Sequence, residues 1–195
     1  MSDSKGFVFF RKKMRAFLVN EFGSENVCPF WGNQNAKIVH ISQAPSLSVV
    51  KNQKPFTDKS GKKLRKKWYQ VSEEVFYNPD NFYFTAVGMY FPGKDKKGGD
   101  KRPDYKLAKQ WLVKELSYLK PELYLILGSL AANFFFPDKK LNSLVFSNQE
   151  IEGKPAFVLP HPSPINIKWF KDNPKFEKDR IFAIKDNIHR VLQLK

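Results

Sequence analysis

A histidine that follows a predicted strand and precedes two prolines is the side chain best suited to chemistry in this sequence. His161 comes two residues after the apolar run 156–159 and is followed by Pro162, Ser163 and Pro164. Proline restricts its own backbone and that of the residue before it, so we expect the imidazole on a stiff loop. In α/β proteins, ligands bind beyond the carboxyl ends of parallel strands. The pattern therefore predicts a ligand site at His161, with a purely structural proline-rich turn as the alternative.

The charge of the chain predicts a polyanionic partner. Its 195 residues include 34 Lys and Arg against 19 Asp and Glu, which leaves a net charge of +15 at pH 7. A basic excess of this size is typical of proteins that bind nucleic acid, although a soluble basic protein without such a partner has the same composition. Two basic runs are expected to contact phosphates, with a solvated helix face and a lysine-rich surface loop as the alternative. They are Lys62, Lys63, Arg65, Lys66 and Lys67, and then Lys94, Lys96, Lys97, Lys101 and Arg102.

The composition predicts a single globular domain in the cytosol. Hydrophobic residues make up 42% of the chain and aromatic residues 15%, which is sufficient for a core. The first residues lack the charged and apolar regions of a secretory signal, and no segment reaches the roughly 18 apolar residues of a membrane span. Neither a basic amphipathic helix nor a lipidation signal indicates a membrane partner. The single cysteine, Cys28, excludes an internal disulfide and a four-cysteine metal or iron–sulfur site, and we expect neither metal nor cofactor.

The spacing of apolar residues predicts helices that alternate with short strands. Strands are expected at 37–41, 82–87, 123–127 and 156–159. Helices are expected over 5–22, ended by Gly23, then from Ser60 as N-cap, over 107–119, from Gly128-Ser129, and over 175–192. This alternation is typical of a three-layer α/β/α sandwich with a mostly parallel sheet, here of four strands. Three polar loops, 43–60, the segment after Val87, and 161–166, should then meet at the carboxyl edge of the sheet.

Four short motifs, in this order, resemble the uracil-DNA glycosylase superfamily. They are Gln43-Ala44-Pro45, Pro55-Phe56 with Ser60-Gly61, Leu125-Ile126-Leu127-Gly128, and His161-Pro162-Ser163-Pro164. A bacterial branch without the iron–sulfur cysteines is similar at further positions, which are Tyr90-Phe91-Pro92-Gly93 with Gly98-Gly99-Asp100, Asn166, Trp169, Asn173-Pro174 and Phe176-Glu177. The resemblance implies one glycosylase-like domain over 1–195, with an N-terminal helix and lead-in at 1–36 and the core at 37–192.

The resemblance implies an enzyme that rotates a base out of DNA and hydrolyses its N-glycosidic bond. In such an enzyme His161 would donate a hydrogen bond to the departing base, and Phe56 would stack on that base. Ile165 would fill the gap left in the base stack, unless it packs beneath its own loop. The remaining implied contacts are Ala44, Pro45 and Ala86 to the base, and Ser60, Ser163, Asn166, Lys62, Lys63, Arg65, Lys97, Lys101 and Arg102 to DNA. Structural roles are the alternative: a core position for Phe56, and caps for Ser60 and Ser163.

Three residues near these motifs bear on the chemistry. Gln43 stands where the iron–sulfur uracil glycosylases carry an acidic residue, and an amide can orient a water molecule but cannot accept its proton. Ala86 stands where those enzymes carry the asparagine that reads uracil, so a different base is possible. Asp58 is the nearest carboxylate, either to stabilise a sugar cation and position water or as a solvated turn residue.

We therefore expect a monomeric, monofunctional DNA glycosylase-like enzyme that removes a deaminated or damaged base, uracil or another, in base-excision repair without a metal. A non-catalytic protein that binds damaged or single-stranded DNA on the same fold is the alternative, and Gln43 and Ala86 favour it. A hydrolase of free nucleosides fits the same pocket but leaves the charge of +15 unused.

Overall fold

Short strands rich in β-branched and aromatic residues form one sheet. The computed structural model describes residues 2–28, 31–96, 101–102 and 104–194, with side chains from residue 5 onward. Within these ranges the strands are β1 (Ile38–Ser42), β2 (Phe82–Ala86), β3 (Leu123–Leu127), β4 (Gln149–Ile151) and β5 (Lys154–Leu159). Their order in the sheet is β2-β1-β3-β5-β4, in which β4 is antiparallel and all other neighbours are parallel. The predicted α/β class with a mostly parallel sheet is confirmed.

Helices and helical turns connect the strands. The α-helices of the described residues are α1 (Ser2–Phe22), α2 (Leu47–Asn52), α3 (Lys59–Lys63), α4 (Glu73–Tyr77), α5 (Tyr105–Leu116), α6 (Ser129–Phe135), α7 (Leu141–Val145), α8 (Ile167–Asp172) and α9 (Ile181–Leu192). Two 3₁₀ turns, Ser24–Asn26 and Pro164–Asn166, and two π-helical segments, Leu64–Tyr69 and Phe176–Arg180, complete them. None of the helices in the described ranges has the length and apolar character needed to cross a membrane.

The sheet lies between two helical layers. Successive side chains of β2 point to opposite faces, and their contacts identify what packs on each face. On one face, the Tyr83 ring packs against Phe7 of α1, and its hydroxyl donates a 2.6 Å hydrogen bond to Glu115 of α5. On the other face, the Phe82 ring stacks on Tyr69, with 6.3 Å between ring centroids and 6° between ring planes. All five residues of β3 are buried, as expected for a central strand covered on both faces.

The prediction of four strands was wrong, because the sheet has a fifth, β4. This strand has only three residues, two of them polar, so it is too short to carry a periodic signal. A tight turn at Glu152 and Gly153, with φ of 51° and 71°, joins it to β5. Two successive positive φ values are typical of a two-residue hairpin turn, and the glycine is the one local signal for it. The hairpin adds an antiparallel edge to an otherwise parallel sheet.

Two predicted helix details were also wrong. The N-cap of the basic helix is Asp58 instead of Ser60, since an Asp58 carboxylate oxygen accepts the Gly61 N–H at 2.9 Å. Both residue types cap helices well, so local sequence alone does not decide between them. The single helix predicted over 175–192 is a π-helical segment, Phe176–Arg180, followed by α9.

The topology creates a crevice at the carboxyl ends of β1 and β3. β1 has β2 on one side and β3 on the other, so the connections that follow β1 and β3 leave in opposite directions. Ligands in open α/β sheets bind at such a reversal point. Gly128 ends β3 with a φ of 88°, and a Cβ atom there would touch the Cβ of His161 at 3.7 Å. The His161 loop therefore crosses directly beside the end of the central strand.

Candidate active site

A cavity of about 340 Å³ opens at this edge of the sheet, where the three polar loops meet. Its wall brings together ten of the predicted site residues, namely Gln43, Ala44, Pro45, Phe56, Asp58, Ser60, Ala86, His161, Ser163 and Ile165. Of the described residues predicted to contact DNA, nine lie elsewhere: Asn166, Lys62, Lys63, Arg65, Lys66, Lys67, Lys96, Lys101 and Arg102. Lys97 lies outside the described residues, as does the predicted motif at 98–100. A concave site with a few convergent polar groups is the usual form of a ligand pocket.

The loop at His161 is held by hydrogen bonds to both its ring and its backbone. The Ser163 N–H donates to His161 Nδ1 at 3.2 Å, and the Asn166 side-chain amide donates to the His161 carbonyl at 2.8 Å. Because Nδ1 accepts a hydrogen bond, the proton of the neutral ring is on Nε2. The ring therefore presents an N–H donor, and Asn166 acts on the cavity through the loop.

Phe56 forms one wall of the cavity, in a backbone conformation that few phenylalanines adopt. Its φ is 54°, and its carbonyl accepts a 3.1 Å hydrogen bond from the Tyr77 hydroxyl. Gly61 of α3 lies directly against it, since a Cβ atom at that position would collide with the Phe56 carbonyl. The Phe56 ring meets Phe84 edge-on, with 5.4 Å between centroids. These contacts fix a half-buried aromatic face toward the cavity.

Behind Phe56 lies a buried, uncharged histidine. His40 contacts the Phe56 ring edge-on at 4.9 Å between centroids, and its Nε2 is hydrogen-bonded to the Tyr69 hydroxyl at 2.9 Å. Burial lowers the pKa of His40 to about 3, with a smaller contribution in the same direction from His161. The ring is therefore neutral near pH 7 and packs behind Phe56 as an uncharged aromatic group.

The two candidates for water chemistry lie on the same cavity. The backbone carbonyl of Gln43 accepts a 2.7 Å hydrogen bond from the Gly88 N–H, which joins the loop after β1 to the loop after β2. One carboxylate oxygen of Asp58 caps α3. Among the described residues of the cavity wall, Asp58 is the only carboxylate. The cap and a direct role in the cavity are therefore compatible.

Ile165 projects from the loop that follows His161. Its side chain is 88% exposed, so the alternative that it packs beneath its own loop is wrong. Ser163 caps the 3₁₀ turn that carries it, with the Ile165 N–H donating to the serine hydroxyl at 3.4 Å. An exposed apolar side chain on a short, capped turn has the geometry of a rigid projection.

Several wall residues carry no signal for the site in the sequence, among them Leu18, Cys28, Trp31, Lys54 and Met89. Lys94, which belongs to the second predicted basic run, also lines the cavity. Trp31 reaches the cavity because its segment pairs with β2, a contact between residues far apart in sequence. No hydrophobic periodicity in residues 28–36 indicates that pairing.

Burial raises the pKa of Cys28 to about 12, so its thiol is protonated and unsuited to nucleophilic attack.

Some of the side chains predicted to contact phosphates are already in ion pairs, and others are exposed to solvent. Lys63 pairs with Glu177 at 2.7 Å, and Arg65 pairs with Glu73 at 3.1 Å. Lys62, Lys101 and Arg102 are exposed. Since surface pairing neutralises part of a charge, Lys63 and Arg65 are poorer candidates for phosphate contacts than Lys62.

The donor set does not fit an iron–sulfur cluster. The chain has a single cysteine, whereas a cluster held by thiolates requires four. Within the described ranges, no group of three or more His, Cys, Asp or Glu side chains is arranged to hold a metal ion.

The chain is similar in sequence to one protein family and to curated proteins. A family model described as the uracil DNA glycosylase superfamily matches residues 29–185. A type-4 uracil-DNA glycosylase of Archaeoglobus fulgidus is 27% identical over 112 residues, which cover 57% of this chain and 53% of that protein. A type-4 uracil-DNA glycosylase of Saccharolobus solfataricus is 25% identical over 131 residues, which cover 67% of this chain and 57% of that protein. The chain thus spans little more than half the length of these relatives.

Proposed function

Since the chain belongs to the uracil-DNA glycosylase superfamily, we propose that it hydrolyses the N-glycosidic bond of a deaminated or damaged base flipped out of DNA. The observation that carries this proposal is the joint position of His161 and Phe56 on one cavity at the carboxyl edge of the sheet. The net charge of +15 supports DNA as the partner, because a free nucleoside would not require it.

In the proposed reaction, the flipped base stacks on the Phe56 ring while the His161 Nε2–H donates to a carbonyl of the base. The bond between C1′ and the base nitrogen breaks, and its electron pair leaves with the base. A donor already aimed at the developing negative charge lowers the barrier most. The neutral tautomer and the hydrogen-bonded loop of His161 provide such a donor.

Water completes the reaction at C1′ of the sugar. Gln43 can orient a water molecule but cannot accept its proton. Asp58, as the carboxylate on the described part of the wall, stabilises the sugar cation and takes that proton.

Ile165 fills the gap in the duplex, so Ile165→Ala should lower base release from duplex DNA much more than from single strands. Equal losses on both substrates would remove this role from Ile165.

A non-catalytic DNA-binding protein is the second candidate function. Gln43 and Ala86 favour it, because both stand where related enzymes carry residues that act on water or on uracil. Such a protein would bind DNA in a salt-sensitive way and would release no base.

Single-turnover base release separates these functions. The substrates are single- and double-stranded oligonucleotides carrying uracil, hypoxanthine, xanthine or a bulky alkylated base. We expect release of one of these bases, and a loss of roughly 100- to 1,000-fold in His161→Ala, as for removal of a donor to a developing anion. No release from any substrate, together with intact salt-sensitive binding, would favour the non-catalytic function.

Two further variants of His161 distinguish its donor from its place in the loop. Asparagine carries an acceptor near the position of Nδ1 and can keep the bond from the Ser163 N–H, but it has no group at Nε2. Glutamine places an N–H donor close to Nε2. We therefore expect His161→Gln to retain more base release than His161→Asn; the reverse order would mean that the loop, and not the donor, matters.

A further inference from the structure

Trp31 belongs to the face of the sheet that forms the cavity wall. The Phe84 N–H donates a 2.9 Å hydrogen bond to the Trp31 carbonyl, and the two residues form an antiparallel bridge. Residues opposite each other in such a bridge place their side chains on the same face. Ala86 lies two residues beyond Phe84 and shares that face. The side chains of Trp31, Phe84 and Ala86 all line the cavity.

The Trp31 backbone is held by its neighbours as well as by this bridge. Gly32, with a φ of 114°, lies so close to β2 that a Cβ atom there would be 2.5 Å from the Tyr83 Cα. Its carbonyl accepts a 3.1 Å hydrogen bond from Arg11. The Trp31 ring itself meets Tyr77 edge-on, with 5.5 Å between centroids. These contacts restrain the backbone at Trp31 and one side of its ring.

The indole N–H of Trp31 has no hydrogen-bond partner among the described residues, although it is buried. Buried donors are usually paired, because an unpaired one loses its hydrogen bonds to water. The indole of Trp111 is also unpaired, but it packs against Phe10 and Phe17 in a separate apolar cluster. Among the described residues, only Trp31 combines a buried side-chain donor that lacks a hydrogen bond with a place on the cavity wall, which points to a ligand as its partner.

We propose that the Trp31 Nε1–H donates to the carbonyl oxygen that deamination puts in place of an exocyclic amino group, and thereby selects deaminated bases. This inference rests on the proposed function and assigns the residue that reads the base. An indole is a donor with no acceptor, so it cannot satisfy an exocyclic amino group. Ala86 adds only a methyl group where an amide would read both kinds of edge. The wall therefore pairs with the carbonyl that deamination creates and leaves the amino group of the parent base unpaired.

Nuclear magnetic resonance tests this recognition without any turnover. The chain has four tryptophans, so the ¹⁵N-labelled protein should give four indole N–H signals, and Trp31→Phe identifies one of them. Uracil with cytosine, and hypoxanthine with adenine, are matched pairs that differ by a carbonyl and an amino group. We expect uracil to shift the Trp31 signal downfield by more than cytosine does, and hypoxanthine to shift it by more than adenine does. No shift, or equal shifts within both pairs, would overturn the inference.

Base release provides the second measurement. Loss of one neutral donor should lower release of the preferred base by roughly three- to ten-fold in Trp31→Phe and reduce its preference over the amino base. Trp111→Phe is the matched control and should behave as wild type. If wild type releases a base and Trp31→Phe releases it equally well, this inference fails while the glycosylase proposal stands. If the Trp31 signal shifts but no base is released, recognition stands and the glycosylase proposal fails.

Discussion

The chemistry proposed for the cavity depends on a few side chains whose neighbours fix their protonation or direction. His161 is a donor because the backbone N–H of Ser163 occupies its Nδ1. His40 contributes only an uncharged ring, since burial keeps its pKa near 3. Asp58 has two possible roles, because its carboxylate caps helix α3 and also lies on the cavity wall. These two duties can be separated by mutation.

Asp58→Asn tests the charge of Asp58 with its cap retained. Asparagine caps helices about as well as aspartate, so thermal stability should stay close to wild type. If the carboxylate assists at the sugar, single-turnover base release should fall by roughly 100-fold or more. Asp58→Ala is the comparison, and it should also lose about 1 kcal/mol of stability with the cap. Unchanged release in Asp58→Asn would restrict Asp58 to the helix cap.

The position of Phe56 depends on the short helix α3. Asp58 begins this helix, and Gly61 allows its first turn to lie against the Phe56 backbone. Tyr77 of α4 holds the same segment from the other side through the Pro55 and Phe56 carbonyls. The aromatic wall is thus a property of how two short helices meet.

Gly61→Ala tests this close packing against the usual effect of helix propensity. Alanine in a helix is normally more stable than glycine by roughly 0.5–1 kcal/mol. At position 61 we expect the opposite, a loss of roughly 1–3 kcal/mol, because the added Cβ meets the Phe56 carbonyl. Base release should fall as well. Denaturant unfolding measures the stability.

Gly6→Ala is the matched control for this substitution. Gly6 lies in α1, and its added Cβ would have an ordinary contact with Tyr118 at 3.7 Å. This variant should gain stability. A gain of the same size in Gly61→Ala would show that α3 and the Phe56 turn are not closely packed.

The sequence predicts the parts of this fold that have local, periodic signals. The apolar runs of β1, β2, β3 and β5 are such signals, and so is the proline-flanked His161. The β4 strand was missed because three residues are too few to show a period. Trp31 was missed because its place depends on pairing with Phe84, a contact between residues far apart in sequence. The family motifs likewise indicate which loops form the site but not which donor reads the base.

The distribution of charge over the surface determines how the chain would hold DNA. Its net charge of +15 is large, yet the basic side chains are not equivalent. Lys62 is exposed, whereas Arg65 is largely covered and paired with Glu73. Counterion release on binding should therefore come from some of these residues and not from others.

Salt dependence of DNA binding tests this difference. With about five phosphate contacts, the slope of log K against log salt should be roughly −4 to −5. Lys62→Gln should make this slope shallower by about one, while Arg65→Gln should leave it unchanged. Binding measured by fluorescence anisotropy at several salt concentrations gives both values. Equal changes in the two variants, or binding that ignores salt, would contradict this account of the surface.

The bridge between Trp31 and Phe84 has a consequence beyond the cavity. Strand β2 is one outer strand of the sheet, and a bare outer strand can pair with another copy of a protein and start aggregation. At this edge the Phe84 N–H already donates to the Trp31 carbonyl, and the strand at the opposite edge, β4, has only three residues. Both edges thus offer little backbone to a second copy. The segment at Trp31 that lines the cavity thus also protects this edge of the sheet from pairing with a second copy.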